Sequence, residues 1–298
     1  YFILHAIACL AQNQSGMVKT LGRPAQKGVP LAGVTVRIAE AHNAVVSRKD
    51  GAFSLPMNKK DGESFVIRQV QKAGYELNDR DLIGRKYAFS STHPITIVMV
   101  SAKQLQAEKA RIENNAYSVA EKNYKNKLAA FEAQLKNGQI DAEKYSGQIR
   151  SLQGDFERFQ SLIDGLSEHY AHIDYDEMDE NEKEIAQCIE NGNFDKADSL
   201  IHQCFDVTDV LSRNLKALDR IEQGISQAKD VIADTNRLMA EVLKRQAKDA
   251  EYLYQLYTIA LARFDNEKAG QYILTRAELD TTNVEWTVQA AKFIADYR

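Results

Sequence analysis

Residues 101–298 contain no proline. Proline lacks a backbone donor and clashes with the preceding helical turn, so a stretch of this length without it predicts long helices. All four prolines (Pro24, Pro30, Pro56 and Pro94) lie in the first 100 residues, with eight of the fifteen glycines. Charge divides at the same place: residues 1–100 carry a net +6 and residues 101–298 a net −10, for −4 overall. These asymmetries predict an α+β multidomain chain with a β domain first, an all-α region second, and a boundary near Ser101. The bulk composition, 44% hydrophobic and 27% charged, excludes collagen, a disulfide scaffold and wholesale disorder. No apolar run approaches the ~18 residues of a spanning helix.

Both ends of the chain point outward. Residues 1–10 (YFILHAIACL) are nearly all apolar and are followed by the polar Gln12-Asn13-Gln14-Ser15. The length suits the core of a signal peptide, with small residues at Cys9 and Ala11. Residues 1–11 are therefore expected to be a signal-peptide remnant, with the mature chain beginning near Gln12. Acylation of Cys9 and an ordinary buried strand are the alternatives. Residues 293–298 end inside an apolar-periodic run without a helix stop, as in a fragment of a longer protein.

In residues 16–100, Val34, Val36 and Ile38 alternate with Thr35 and Arg37, the pattern of a half-buried strand. Short strands are also expected around residues 45–47, 53–55, 64–67 and 95–100. The Asp50-Gly51 and Asp61-Gly62 turns between them favour hairpins, because glycine accepts positive φ. Spacing of this kind suggests a β-sandwich. Val29-Pro30-Leu31-Ala32-Gly33-Val34-Thr35-Val36, followed by Asp50-Gly51-Ala52-Phe53-Ser54-Leu55, resembles the carboxypeptidase regulatory-like domain. That resemblance implies a seven-stranded, transthyretin-like sandwich over residues 16–100, noncatalytic, with Phe53 in the core.

Tyr145, Ile149, Leu152, Phe156, Phe159, Ile163, Leu166 and Tyr170 alternate steps of four and three, a heptad seam of coiled-coil type. Tyr117, Tyr124, Leu128, Phe131 and Leu135 form a similar stripe. Asn137-Gly138 and Asp141 supply a stop and an N-cap between them, which predicts an antiparallel helical hairpin over residues 101–174. Intramolecular pairing is the favoured use of the seam, and a dimer interface the other.

Residues 175–298 contain two related stretches. Gly192-Asn193-Phe194-Asp195-Lys196-Ala197 precedes Leu200 and Ile201, and Phe264-Asp265-Asn266-Glu267-Lys268-Ala269 precedes Tyr272 and Ile273. With Ala277-Glu278-Leu279-Asp280-Thr281-Thr282-Asn283, these resemble the tetratricopeptide repeat, although Thr281 stands where the repeat has proline. A third unit would begin at Val284. Between the copies, Leu211, Leu215, Leu218, Ile225, Ala228, Ile232, Met239 and Val242 suggest a continuous helical seam of about forty residues. The order of domains is similar to that of exported tetratricopeptide proteins of the Bacteroidetes type. The resemblance implies a peptide-binding groove, with Glu251, Tyr254 and Thr258 at groove-lining positions.

Signatures of chemistry are sparse. His169 and His172 share a helix face near Glu168, Asp174 and Asp176, but a solvated helix end is the favoured reading. Residues 174–185 begin like a calcium loop and lack its glycine and its final carboxylate. No zinc-protease, phosphate-loop or nucleophile-elbow motif occurs, nor any Lys/Arg-rich run of nucleic-acid type. Cys188 and Cys204 are expected to be free, core-facing thiols, since their offset about the intervening turn exceeds disulfide reach. The expected function is a noncatalytic protein–protein interaction scaffold of the cell envelope, exported to the periplasm or the outer membrane. It would take a protein or peptide partner, with no cofactor, metal, nucleic acid or evident small-molecule substrate. The alternatives are a regulatory front end of a larger enzyme or signalling protein and, less favoured, an outer-membrane receptor.

Overall fold

The computed structural model describes residues 12–40, 43–227 and 231–297, and the side chains of 218 and 220–236 are left aside. The signal-peptide expectation, Cys9, and the seam positions Leu218, Ile225, Ala228 and Ile232 therefore lie outside what is described. The architecture is mixed α+β, with strands first and helices after. Among the described residues there are eight strands: β1 (Gln12–Thr20), β2 (Thr35–Ile38), β3 (Val45–Val46), β4 (Ala52–Met57), β5 (Ser64–Gln71), β6 (Tyr75–Leu77), β7 (Lys86–Ala88) and β8 (Ile95–Ser101). The helices are α1 (Ala102–Lys136), α2 (Ala142–Ala171), α3 (Glu180–Glu190), α4 (Phe194–Cys204), α5 (Val210–Gln227), α6 (Val231–Ala262), α7 (Asn266–Leu279) and α8 (Val284–Tyr297). They fall into two compact units. The β unit holds the strands, α1 as far as Ala110, and Glu168–Asp179; the helical unit holds Arg111–Ser167 and Glu180–Arg298.

In the β unit, one sheet has the order β4-β1-β8-β6 and the other β3-β2-β5-β7. Alternate residues of both sheets enter one core: Val18, Val36, Ile38, Phe53, Leu55, Phe65, Ile67, Ile97 and Met99 are all buried. Gly51 turns the chain between β3 and β4 at φ +75, and a Cβ there would lie 2.4 Å from the Val18 carbonyl oxygen. Only glycine meets both conditions. The first strand was hidden by its polarity. Gln14 is fully buried because its amide is satisfied: Nε2 donates to the His93 carbonyl (2.8 Å), and Oε1 accepts from the Ser90 N–H (2.9 Å). β1 pairs antiparallel with β4 and parallel with β8, so it lies inside its sheet.

The helical unit is built on α1 and α2. Gly138 ends α1 with φ +68, and the Asp141 carboxylate accepts from the Lys144 N–H (2.7 Å) to start α2. The aromatic stripes meet within the chain, as Phe156 packs against Tyr117 (5.8 Å) and Tyr124 (5.1 Å). Buried Asn214 of α5 donates from Nδ2 to the Asp249 carboxylate of α6 (3.2 Å). These two helices therefore lie side by side, not end to end as a continuous forty-residue seam expects, and Leu215 and Met239 are exposed at 64% and 40%. An apolar period guarantees a stripe, whereas burial of that stripe requires a partner surface.

The pairs α3–α4 and α6–α7 share one turn geometry at an offset of 72 residues. Gly192 (φ 72) and Phe264 (φ 55) both take the left-handed conformation. The Gly192 and Asn193 amides donate to Ile189 and Cys188 carbonyls, as the Phe264 and Asp265 amides donate to Leu261 and Ala260. This double bond is the Schellman helix stop. α1 anchors both stops. Asn115 Nδ2 donates to the Glu190 carbonyl (2.8 Å) and Asn123 Nδ2 to the Ala262 carbonyl (2.9 Å). Glu190 and Ala262 are also 72 residues apart, so two asparagines eight residues apart on one helix satisfy equivalent orphan carbonyls. At Gly192 a side chain would lie 3.0 Å from Val119, so glycine serves both the turn and the close approach of α1. Phe264 carries its side chain into the same backbone conformation. Its ring packs edge-on to Phe156 (6.2 Å).

Candidate protein-binding groove

Three helices of the helical unit present matched faces. Asp195, Asp198, Ser199 and His202 of α4 follow the spacing i, i+3, i+4, i+7, which places them on one side of a helix. Leu256, Ile259, Ala260 and Arg263 follow the same spacing on and just past α6. Asp265, Lys268 and Tyr272 complete the wall at α7. Together they line a groove of about 590 Å³, with an apolar floor from α6 and polar sides. A second hollow of about 540 Å³ shares His202, Gln203 and Tyr272 and continues past Phe205 to Thr208 and Arg213.

Arg263 sets the shape of one end. It stands just after α6 and reaches back to α4, with Asp195 at 2.5 Å and Asp198 at 2.7 Å. This fork ties the two helix pairs together, at the modest strength expected of a partly exposed ion pair. Asp265 caps α7 by accepting from the Lys268 N–H (3.2 Å). Burial, and then the Asp198 and Asp265 carboxylates, push the Tyr272 phenol up, while Arg263 opposes them. Tyr272 is nearly buried and lines both hollows. The lining offers hydroxyl and amide groups and charges already paired, over a floor of buried α6 side chains.

The residues named from sequence lie on other faces of α6. Thr258 is buried at 2% exposure. Glu251 accepts from Gln255 Nε2 at 3.2 Å. Tyr254 packs against the Arg276 guanidinium (4.8 Å), which in turn covers Trp286 of α8 (4.8 Å). Burial, followed by the Glu251 carboxylate, raises the Tyr254 phenol to about 12, with Arg276 opposing. The third helix of the series therefore engages the face that Tyr254 would have offered. The signal for the observed groove was present as the i, i+3, i+4, i+7 spacing on α4. It is indistinguishable from any solvated helix face until α6 is seen beside it.

The cysteines differ from each other. Both are free, but Cys188 is buried and Cys204 is exposed, so the core-facing expectation fails for Cys204. Cys204 is the last residue of α4, and the following Phe205, not Cys204, is the side chain that enters the core, against Tyr252 (5.2 Å). His169 packs edge-on against Tyr170 (5.1 Å), and His172 Nδ1 sits 2.8 Å from the Glu168 carbonyl oxygen. Among the described residues no group of three His, Cys, Asp or Glu side chains is arranged to hold a metal ion. Among the same residues no helix is long and apolar enough to cross a membrane. Comparison with protein-family models, with curated proteins and with solved structures finds no match to this chain.

Proposed function

We propose that the protein is a noncatalytic interaction scaffold of the cell envelope, with tetratricopeptide-like helix pairs and a transthyretin-like β domain of carboxypeptidase regulatory-like type. The observation that carries this reading is the groove between α4, α6 and α7. The common turn geometry at an offset of 72 residues supports a repeat origin for the helix pairs. Helix pairs stacked in this way create extended concave surfaces that hold peptides. The partner is a protein or peptide that meets the exposed polar side chains of the groove, Ser199, His202 and Gln203 of α4 and Lys268 of α7, above a floor closed by buried Leu256 and Ile259.

Ser199 and Gln203 are exposed on that wall, so tryptophan there fills the groove without disturbing the core. Peptides selected from a random library on the full chain are expected to lose at least about ten-fold in affinity with Ser199→Trp or Gln203→Trp, or ~1.4 kcal/mol. Lys136→Trp, at the end of α1, should leave them unchanged. Selected peptides that ignore both groove variants would remove the groove as the binding site.

Export is the second part of the proposal. The apolar run of residues 1–10 ahead of the polar Gln12-Asn13-Gln14-Ser15 supports it. N-terminal sequencing of the protein from producing cells is expected to begin near Gln12, in the envelope fraction. A cytoplasmic protein that retains Phe2 to Leu10 would overturn this.

A further inference from the structure

Within the β unit, the loop after β1 holds a short acidic strap from Glu168–Asp179. The strap forms a single turn of 3-10 helix, Tyr175–Glu177. The Asp174 carboxylate accepts from the Gly22 N–H at 3.0 Å, and the Asp176 carboxylate accepts from the Gly28 N–H at 3.0 Å. Lys19 Nζ sits between them, 3.0 Å from Asp174 and 3.2 Å from Asp176. Between the two acids, the Tyr175 ring is buried at 2% exposure, with the Arg23 guanidinium 5.1 Å from its centroid. The Tyr175 N–H donates to the Gly22 carbonyl at 3.1 Å. Each position of the tripeptide therefore meets a different feature of the loop.

The receiving surface is shaped for this occupant. A Cβ on Gly22 would lie 2.5 Å from Asp176 Cγ and 2.7 Å from an Asp174 carboxylate oxygen. A Cβ on Gly28 would lie 2.3 Å from the Thr20 carbonyl oxygen and 2.8 Å from the Asp176 carboxylate. Two glycines thus let backbone N–H groups reach two carboxylates, an anion-binding arrangement that a lysine completes. Arg23 is itself 7% exposed and held by the Tyr170 carbonyl at 3.1 Å, so it is preset over the aromatic position. Charge runs the same way: residues 1–100 carry a net +6, whereas the strap contains Asp174, Asp176, Glu177 and Asp179.

We infer that the Lys19–Gly28 loop is a recognition site for a segment of the form Asp-aromatic-Asp, filled in this chain by Asp174, Tyr175 and Asp176, and open to a partner segment of the same chemistry once the strap is displaced. The site is separate from the helical groove. A tethered strap competes at an effective concentration in the millimolar range, so the resting chain excludes free ligand. Weakening the strap exposes the site.

The test uses the full chain and a fluorescein-labelled synthetic peptide with the sequence of residues 172–179, followed by fluorescence anisotropy. Asp174→Asn/Asp176→Asn keeps the shape of the strap and removes its charge. In that variant, amide hydrogen exchange of residues 174–178 should accelerate at least ten-fold, while β1 and β8 stay protected. Protection of β1 and β8 reports that the unit remains folded. The variant should bind the peptide at least ten-fold more tightly than the wild type. Adding Lys19→Met or Gly28→Val should abolish the gain, and a peptide with Asn-Tyr-Asn should not bind. The proposal is overturned if the strap amides keep wild-type exchange. It is equally overturned if the loosened variant fails to bind the peptide, or if binding survives both Lys19→Met and Gly28→Val.

Discussion

Phe53→Ala is expected to destabilise the β unit by about 3–5 kcal/mol, the usual cost of emptying a large aromatic site in a core. Phe53 is 3% exposed and lies within the core shared by the two sheets. Its position is set by a pairing across strands. Gly16 of β1 stands opposite Phe53 of β4, and a Cβ on Gly16 would lie 2.2 Å from the ring. The ring therefore lies over a glycine, and the pair acts as one packing element. Gly16→Ala should push the ring off this seat and cost roughly 1–3 kcal/mol by overpacking. In the double variant Gly16→Ala/Phe53→Ala the added methyl no longer meets a ring, so the two costs should not add. Urea unfolding followed through the β unit measures all three. A cost below about 1 kcal/mol for Phe53→Ala would contradict its place in the core.

Ala269→Leu is expected to destabilise the helical unit by about 1–3 kcal/mol, because a well-packed helix contact has no room for three more carbons. Ala269 is fully buried on α7, and Ala197, its counterpart 72 residues earlier on α4, is equally buried. The next residue, Gly270, is as confined, since a Cβ there would lie 2.9 Å from Phe293 of α8. Successive small residues therefore keep α7 close to its neighbours. Lys268→Leu is the control. Lys268 is exposed, with its ammonium 3.7 Å from Asp265, and its replacement should change stability by no more than about 0.5 kcal/mol. Thermal unfolding of the two variants in the same full chain separates them. Equal effects would show that position 269 tolerates bulk, and the proposed repeat packing would lose its central residue.

Local chemistry made a large part of this architecture legible. The missing prolines mark the helical region, which begins at Ala102, directly after the last strand. Gly51, Gly138 and Asp141 perform turn and cap roles that depend only on backbone conformation and on side-chain reach of a few residues. The kinship of the turns at Gly192 and Phe264 was visible as a pattern of small, acidic and apolar residues, because a helix stop is built from neighbours in sequence.

Tertiary structure alone decided the rest, in each case through partners distant in the chain. Gln14 looks like a linker residue, and it is buried only because Ser90 and His93 complete its hydrogen bonds. The parallel pairing of β1 with β8 joins residues about eighty positions apart and has no local signature. Tyr254 and Thr258 carry no mark that distinguishes a groove from an interior. The choice falls to Arg276, Trp286 and the helices that cover them. Asp174, Tyr175 and Asp176 suggest at most a failed calcium loop, until Lys19, Gly22 and Gly28 are brought against them from the other end of the chain. Propensity and capping act over a few residues and are written in the order of the chain. Burial and ion pairing depend on which surfaces meet, and that is settled only when the chain is folded.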